Sequence, residues 1–445
     1  MTEKTSTTPR IIHPSEHPIT KGMIDDDALL VLRKLNRAGF SSYLVGGGVR
    51  DLYIGKSPKD FDISTNARPG QVRKLFPNSR TIGRRFRLVQ VFFKKGNIVE
   101  ISTLRSLSEH DLDGPEALLA PNNTFGTLDE DAQRRDLTIN GLFYEIEGET
   151  IIDYVGGVDD LDHSVIRVIG EPDKRINRDP VRMMRVIRHS ARSGFTIEPQ
   201  SWNALSANSY KLKLCPTSRL RDELLKDIYS GVSEQWFKLA VESGLFVELF
   251  ALYGEILYSN LPNGDSCLES LTAIFSTIDR LNNAAVESGS HRQPAYFLLA
   301  LILTPWAMNR FDLLNKNVKG AQLFQFSKQI REALNLEIGR QLNLKRSIRQ
   351  EITTLLTYLP AIIQHNQDDV WPKWLRRKSY FSKCRLLYYY LREALEKVPV
   401  PLSAQPLNKQ SSPEKLPPRQ KRKKTKQTRP AFSGVKRGGI FGLKK

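Results

Sequence analysis

The run LVGGGVRD (Leu44–Asp51) constrains this chain more than any other feature. An apolar stretch meeting three consecutive glycines, then a polar helix-forming stretch, predicts a strand, a tight turn and a helix. Glycine enters backbone conformations closed to other residues, so it serves such a turn. The junction exposes backbone N–H groups able to hold phosphate oxygens, although most glycine runs serve turns alone. Arg50, one turn on, can add a charge-assisted contact. Nine residues after Asp51 the pair Asp60 and Asp62 flanks Phe61. Residues two apart on a strand point to the same side. Two carboxylates placed together repel unless a cation sits between them. Mg2+ takes oxygen ligands, commonly one or two carboxylates plus substrate phosphates. The pair reads either as a metal site or as a solvated strand face, and the neighbouring GGGVRD favours the metal.

Around these motifs the pattern is mixed. Ala28, Leu29, Leu32 and Leu35 recur at helical spacing and Gly39 ends the run. SSYLV, KDFDIS, LVQVFF and NIVEISTL read as strands, and RPGQVRKLF as a short helix. Residues 24–160 therefore form an α/β unit behind a flexible arm, residues 1–23. Beyond Asp159 the strand signal fades, and leucine-rich segments alternate with polar turns, which suits an all-helical remainder. We divide it into a neck, 161–230, and a body, 231–405, followed by a disordered polybasic tail, 406–445. The fold class expected is α+β.

The formal net charge is +19 over 445 residues. Residues 409–445 hold 13 Lys or Arg and one acid, Glu414, so +12 of that charge lies in the tail. Such a surplus points to a polyanion partner, foremost a nucleic acid, against the plainer reading of a solubilising tail. The three cysteines lie far apart and frame neither a disulfide scaffold nor a zinc site. The longest wholly apolar run, Ala295 to Leu303, is nine residues, short of the ~20 a membrane span needs. The N-terminus has no apolar signal core. A reducing, cytoplasmic setting with no membrane contact is the expectation.

Further clusters could carry chemistry. Glu100, in a strand pattern, could be a third carboxylate beside the aspartate pair or an exposed edge residue. Arg134-Arg135-Asp136 reads as part of a helix. There Arg135 could reach a nucleotide and Asp136 a ribose hydroxyl or the metal; a surface charge pair is the alternative. Asp179, Arg182 and Arg185 fall at i, i+3 and i+6, which predicts one helix face, with Pro180 in its first turn. A carboxylate acceptor beside a guanidinium donor can read the edge of an adenine, or can be a helix salt bridge. Gly83-Arg84-Arg85-Phe86-Arg87-Leu88 could clamp phosphates or stack bases, or be an ordinary basic hairpin. No P-loop, HExxH or nucleophile elbow competes.

In this order GG-x-VRD, DFDI, GRRFRL, RRD and DPVRMMR resemble the class II nucleotidyltransferases, which comprise bacterial poly(A) polymerases and CCA-adding tRNA nucleotidyltransferases. The likeness covers residues 24–230 closely and the helical remainder loosely. GRRFRL, EDAQRRDLTIN and the basic tail resemble the poly(A) polymerase branch. The resemblance implies a polymerase-β-like head with a small mixed sheet, then a helical neck and a body that binds RNA. It implies template-independent addition of AMP from ATP to RNA 3′ ends, with release of pyrophosphate. By the same likeness Gly46, Gly47 and Arg50 would hold the triphosphate, Asp60 and Asp62 would bind Mg2+ (or Mn2+), and Arg135 and Asp136 would contact the nucleotide. Asp136 would serve as a further catalytic carboxylate, and Asp179, Arg182 and Arg185 would recognise base and phosphates. Two positions depart from the pattern. Arg178 stands where the family has Glu before Asp179, and Gln90 stands where the polymerase branch has His. CCA addition to tRNA is the alternative activity, and a non-catalytic RNA-binding protein on the same fold is the alternative class.

Overall fold

The computed structural model describes residues 8–83, 87–106, 125–258, 263–366 and 370–400. Arg84, Arg85 and Phe86 of the basic hairpin motif and the polybasic tail lie outside the described residues.

An eight-stranded mixed sheet forms the head. Its strands are β1 (Arg10–Ile12), β2 (Ser42–Val45), β3 (Asp62–Thr65), β4 (Ser79–Ile82), β5 (Leu88–Phe92), β6 (Ile98–Thr103), β7 (Phe143–Glu145) and β8 (Thr150–Asp153). They lie in the order β1-β8-β7-β2-β3-β6-β5-β4. Only β3 and β6 pair in parallel in this sheet; the other pairs are antiparallel. The sheet is larger than the small one expected, partly because the N-terminal arm contributes to it. Arg10–Ile12 pairs with β8, with Arg10 opposite Asp153, and Ile12 and Ile19 are buried. Two apolar side chains docked on the sheet hold a segment whose polar composition suggested a free arm.

The Asp26–Arg37 helix packs on this sheet for the reason its spacing indicated. Ala28, Leu29, Val31, Leu32 and Leu35 are buried along one stripe. Asp25 caps it, accepting from Asp27 N at 2.9 Å. The neck is not wholly helical. Val165–Ile166 and Thr196–Ile197 pair in parallel and flank the Arg182–Ser193 helix. That helix buries Met183, Met184, Val186 and Ile187 and ends at Gly194, whose φ of 76° suits glycine. The body is helical. Its most apolar element, Ala295–Phe311, is buried through Phe297–Thr304. Among the described residues no helix is long and apolar enough to cross a membrane. One apolar core runs from Ile12 in the sheet to Ala394 in the body.

Candidate active site

β2 ends at Val45 and the chain turns at Gly46 into the Gly47–Tyr53 helix. Gly46 has φ 65° and ψ −131°, a backbone state that only glycine adopts at low cost. A Cβ there would also lie 3.4 Å from Arg135 Nη1. On the adjacent strand Asp62 opens β3 opposite Val45, and Asp60 precedes it in the incoming loop. Glycine turn and aspartate pair therefore meet at one sheet end, lining a cleft of about 1090 Å³ that also holds Arg50, Arg135, Asp136 and Arg185. Among the described residues its lining counts eight Lys or Arg against four Asp. The free cleft thus attracts polyanions while keeping a local acidic spot.

Glu100 is level with Asp62 on the parallel neighbour β6, so both side chains stand on the same face. The two share a smaller recess of about 190 Å³ with Ser102 and Arg135. Asp62 is exposed by surface area, yet the side chains that line the cleft and the recess around it withdraw part of the water from its carboxyl. That desolvation pushes its carboxyl up to about 6, Glu100 and Asp60 add to the rise, and Arg135 opposes it. Crowded hard oxygens of this kind fit a divalent cation that also takes phosphate oxygens. Among the described residues no group of three or more His, Cys, Asp or Glu forms a self-sufficient metal site. Gln90 Nε2 donates to Glu100 Oε1 at 2.7 Å, so Gln90 steadies this acidic face.

Arg50 is buried and its donors can be counted. Nε and Nη2 donate to Asp51 Oδ1 at 2.9 and 2.6 Å. Nη1 donates to Asn140 Oδ1 at 2.7 Å and lies 3.2 Å from His189 Nδ1. A guanidinium has five N–H groups, which leaves one on Nη2. A Cβ on Gly47 would lie 3.5 Å from that nitrogen, so the spare donor sits beside the glycine turn. Burial and the nearby Arg50 charge hold His189 well below its usual range, so it is neutral and accepts from Arg50.

Arg135 lines the cleft with the aspartates and is held there by other partners. It donates to Asp131 Oδ2 at 2.9 Å and to Ser64 Oγ at 3.2 Å, and lies 4.9 Å from the Phe143 ring centroid. The helix expected for Arg134-Arg135-Asp136 ends at Gln133. The three residues form the turn that leads to Thr138–Asn140, and Arg135 and Asp136 both reach the cleft from it. Asp136 accepts from Leu137 N at 3.0 Å and from Arg185 Nε. Burial pushes its carboxyl up, but the charges of Arg185 and Arg182 outweigh it and hold it far below the usual carboxylate range.

The expectation of one helix face for Asp179, Arg182 and Arg185 is corrected. Asp179 ends the Pro172–Arg178 helix with φ −140°, and a new helix starts at Arg182. Asp179 accepts from both Nη atoms of Arg219, at 2.7 and 2.8 Å. Arg182 donates to the carbonyls of Arg135 and Arg134 at 3.1 and 3.3 Å. Arg185 alone of the three lines the cleft. Sequence reasoning missed Asn140, His189 and Arg192 in the lining, as well as Tyr229 and Arg292 on the far wall. Arg185, His189 and Arg192 fall at i, i+4 and i+7, so the helical face they share was open to reading.

Residues 42–167 match the family model described as "Poly A polymerase head domain", and residues 194–253 that described as "Probable RNA and SrmB- binding site of polymerase A". The chain is 40% identical over 302 residues to poly(A) polymerase I of Escherichia coli O157:H7, covering 66% of this chain and 63% of that one. It is 41% identical over 304 residues to poly(A) polymerase I of Salmonella typhimurium, with the same coverage. It is 33% identical over 266 residues to a CCA-adding enzyme of Lactobacillus gasseri, covering 59% and 65%. The chain thus spans somewhat under two thirds of the length of these curated relatives. Among solved structures it resembles the Bacillus stearothermophilus CCA-adding enzyme in complex with CTP. The TM-score is 0.59 at 23% identity, covering 86% of this chain and 80% of that one, which confirms the nucleotidyltransferase head and helical body as the fold. The head-domain match covers the segments that carry the glycine turn, Asp60, Asp62, Arg135 and Asp136, and over these segments the chain is similar to the poly(A) polymerases and CCA-adding enzymes of the class II nucleotidyltransferases.

Proposed function

We propose that this protein is a template-independent polynucleotide adenylyltransferase that adds AMP from ATP to RNA 3′ ends and releases pyrophosphate. The observation that carries the reading is the convergence of Asp60 and Asp62 with the glycine turn and the spare Arg50 donor in one cation-rich cleft. Similarity to poly(A) polymerase I over two thirds of the chain supports the choice of reaction. The 24–160 head would carry the chemistry, the 161–230 neck and 231–405 body the RNA, and the tail would raise RNA affinity by counterion release. The cytoplasm is the setting that suits it.

Asp60 and Asp62 would hold Mg2+, or Mn2+ in its place, and the bound ion supplies charge stabilisation at the reacting phosphate. The chain's own part is positioning and electrostatics. Backbone N–H groups at Gly46 and Gly47 and the free Arg50 N–H orient the triphosphate. Arg135 and Arg185 face the same space from the other side, and Asp136 holds Arg185 in place. The RNA 3′ oxygen forms its bond to the α-phosphorus as the bond to the β-phosphate oxygen breaks in line. Asp179, Arg182 and Arg185 would select adenine. For Asp179 to accept from a base, it must share or release Arg219.

CCA addition to tRNA is the second reading, favoured by the CCA-adding relatives at 33% identity. Incubation of oligo(A) and of tRNA lacking its 3′ end with each nucleoside triphosphate separately decides between them. Long A tracts on oligo(A) are expected; C incorporation restricted to the tRNA would reverse the assignment.

A further inference from the structure

A second cationic surface lies on the body. From Gly339 to Gln350 the chain carries Arg340, Lys345, Arg346 and Arg349 and no acid. Leu342 and Leu344 are buried and pin the loop, and Leu344 N donates to Gly339 O at 3.0 Å to close it. The anchoring leaves Arg340, Lys345 and Arg346 exposed. None of these three side chains has a hydrogen bond or ion pair among the described residues.

Their placement runs against what stability alone favours. Lys345 is the N-cap of the Arg346–Gln364 helix, which has no acid in its first turn and no side-chain cap bond. A helix N-terminus carries partial positive charge and prefers anions. Cations at that end repel the helix dipole until an anion arrives. The neighbouring acids are already engaged. Asp222 pairs with Arg221 at 2.8 Å, Glu248 with Lys213 at 3.0 Å and Glu337 with Arg310 at 3.3 Å.

The ledge adjoins the cleft through one residue. Arg221 Nη1 donates to Asn343 O in the loop at 3.0 Å, and its Nε and Nη2 bond to Asp222, which lines the cleft. We propose that Arg340, Lys345 and Arg346 form a binding site for the phosphate backbone of single-stranded RNA, holding the strand upstream of a 3′ end seated in the cleft. The site lies outside residues 194–253, the segment matched by the RNA-binding family model. Cations without an exposed ring among them read phosphates and not bases, so binding there is independent of sequence. The choice of RNA as ligand and the direction of the strand rest on the proposed function; the cationic ledge itself does not.

The test compares the full chain with its Arg340→Ala/Lys345→Ala/Arg346→Ala variant. Binding of labelled long and short oligo(A) is followed by fluorescence anisotropy without nucleotide, from about 50 to 200 mM salt. We expect the variant to bind the long strand more weakly, with a salt slope smaller by about 2, at ~0.7 for each phosphate no longer neutralised. The short strand, confined to the cleft, is expected to bind alike. An Arg340→Lys/Arg346→Lys variant keeps the charge and is expected to retain the slope. An unchanged slope on the long strand overturns the proposal, as does equal loss on both strands or a lowered melting temperature that accounts for the loss. AMP addition is assayed separately, so failure of the wild-type chain to extend RNA would sink the activity and leave the ledge to be judged by binding.

Discussion

Asp62 and Glu100 stand side by side on the two parallel strands of the sheet. Thirty-eight residues apart in sequence, they share one face because β3 and β6 run in the same direction and in register. Asp62 therefore belongs both to the cleft and to the recess that Glu100 lines, so the acidic patch extends beyond the Asp60–Asp62 pair. Gln90 is bonded to Glu100, which ties the neighbouring strand to the candidate metal site.

Asp60→Ala combined with Asp62→Ala is expected to abolish AMP addition while the melting temperature stays near wild type. Glu100→Gln is expected to raise the Mg2+ concentration for half-maximal activity by about tenfold or more, the scale for losing a supporting partner of a metal site. Titration of activity with Mg2+ checks both. Turnover retained in the double variant would refute the metal assignment.

Arg219 holds Asp179 with two parallel bonds. Hydrogen bonds to charged groups contribute about 1.5–3 kcal/mol, or roughly ten- to a hundredfold in selectivity. Asp179→Asn and Arg182→Lys are each expected to lower the preference for ATP over CTP by that amount, with less effect on total nucleotide use. Arg219→Ala is expected to change the preference too, since it frees Asp179. Competition between labelled ATP and CTP measures this, and an unaltered ratio in all three would remove these residues from base selection.

The neck gives a pH signature of its own. Arg188 is shared between Asp227 and Glu223, and Asp227 Oδ2 is buried with no hydrogen-bond partner. Burial outweighs the shared guanidinium and pushes Asp227 up to about 7. A carboxyl raised on folding stabilises below its unfolded value and loses that contribution as pH rises, here between about 4 and 7. Glu223, where Arg188 and Lys226 overcome burial, is held down to about 2. It contributes stability above its unfolded value, and this is lost as pH falls toward 2. Asp227→Asn is expected to flatten the fall in stability from pH 4 to 7. Denaturant melts across pH read this; an unchanged slope would contradict it. Arg188→Ala, which strands both carboxylates, is expected to cost about 3–5 kcal/mol.

Deletion of residues 409–445 removes a net +12 and is expected to weaken RNA binding and shrink its salt slope. AMP addition at saturating short primer should persist. An unchanged slope would leave the tail without a role in RNA binding.

The chemistry that sits within one turn or one strand was legible along the chain. The glycine turn at Gly46, the Asp60–Asp62 spacing and Arg50 one helical turn later are local patterns, set by backbone geometry over a few residues. The stripe of the Asp26–Arg37 helix is equally local. Which side chains those groups meet was decided by the tertiary structure. Arg50 reaches His189 across 139 residues, and Asp136 reaches Arg185 across 49. Asp179 left the helix face expected for it because the chain breaks at Asp179-Pro180, where Pro disfavours the helical state in the residue before it, and Arg219 then captures the freed carboxylate. Spacing along a chain carries direction for a few residues only; beyond that, strand register and helix packing choose the partner of each charge.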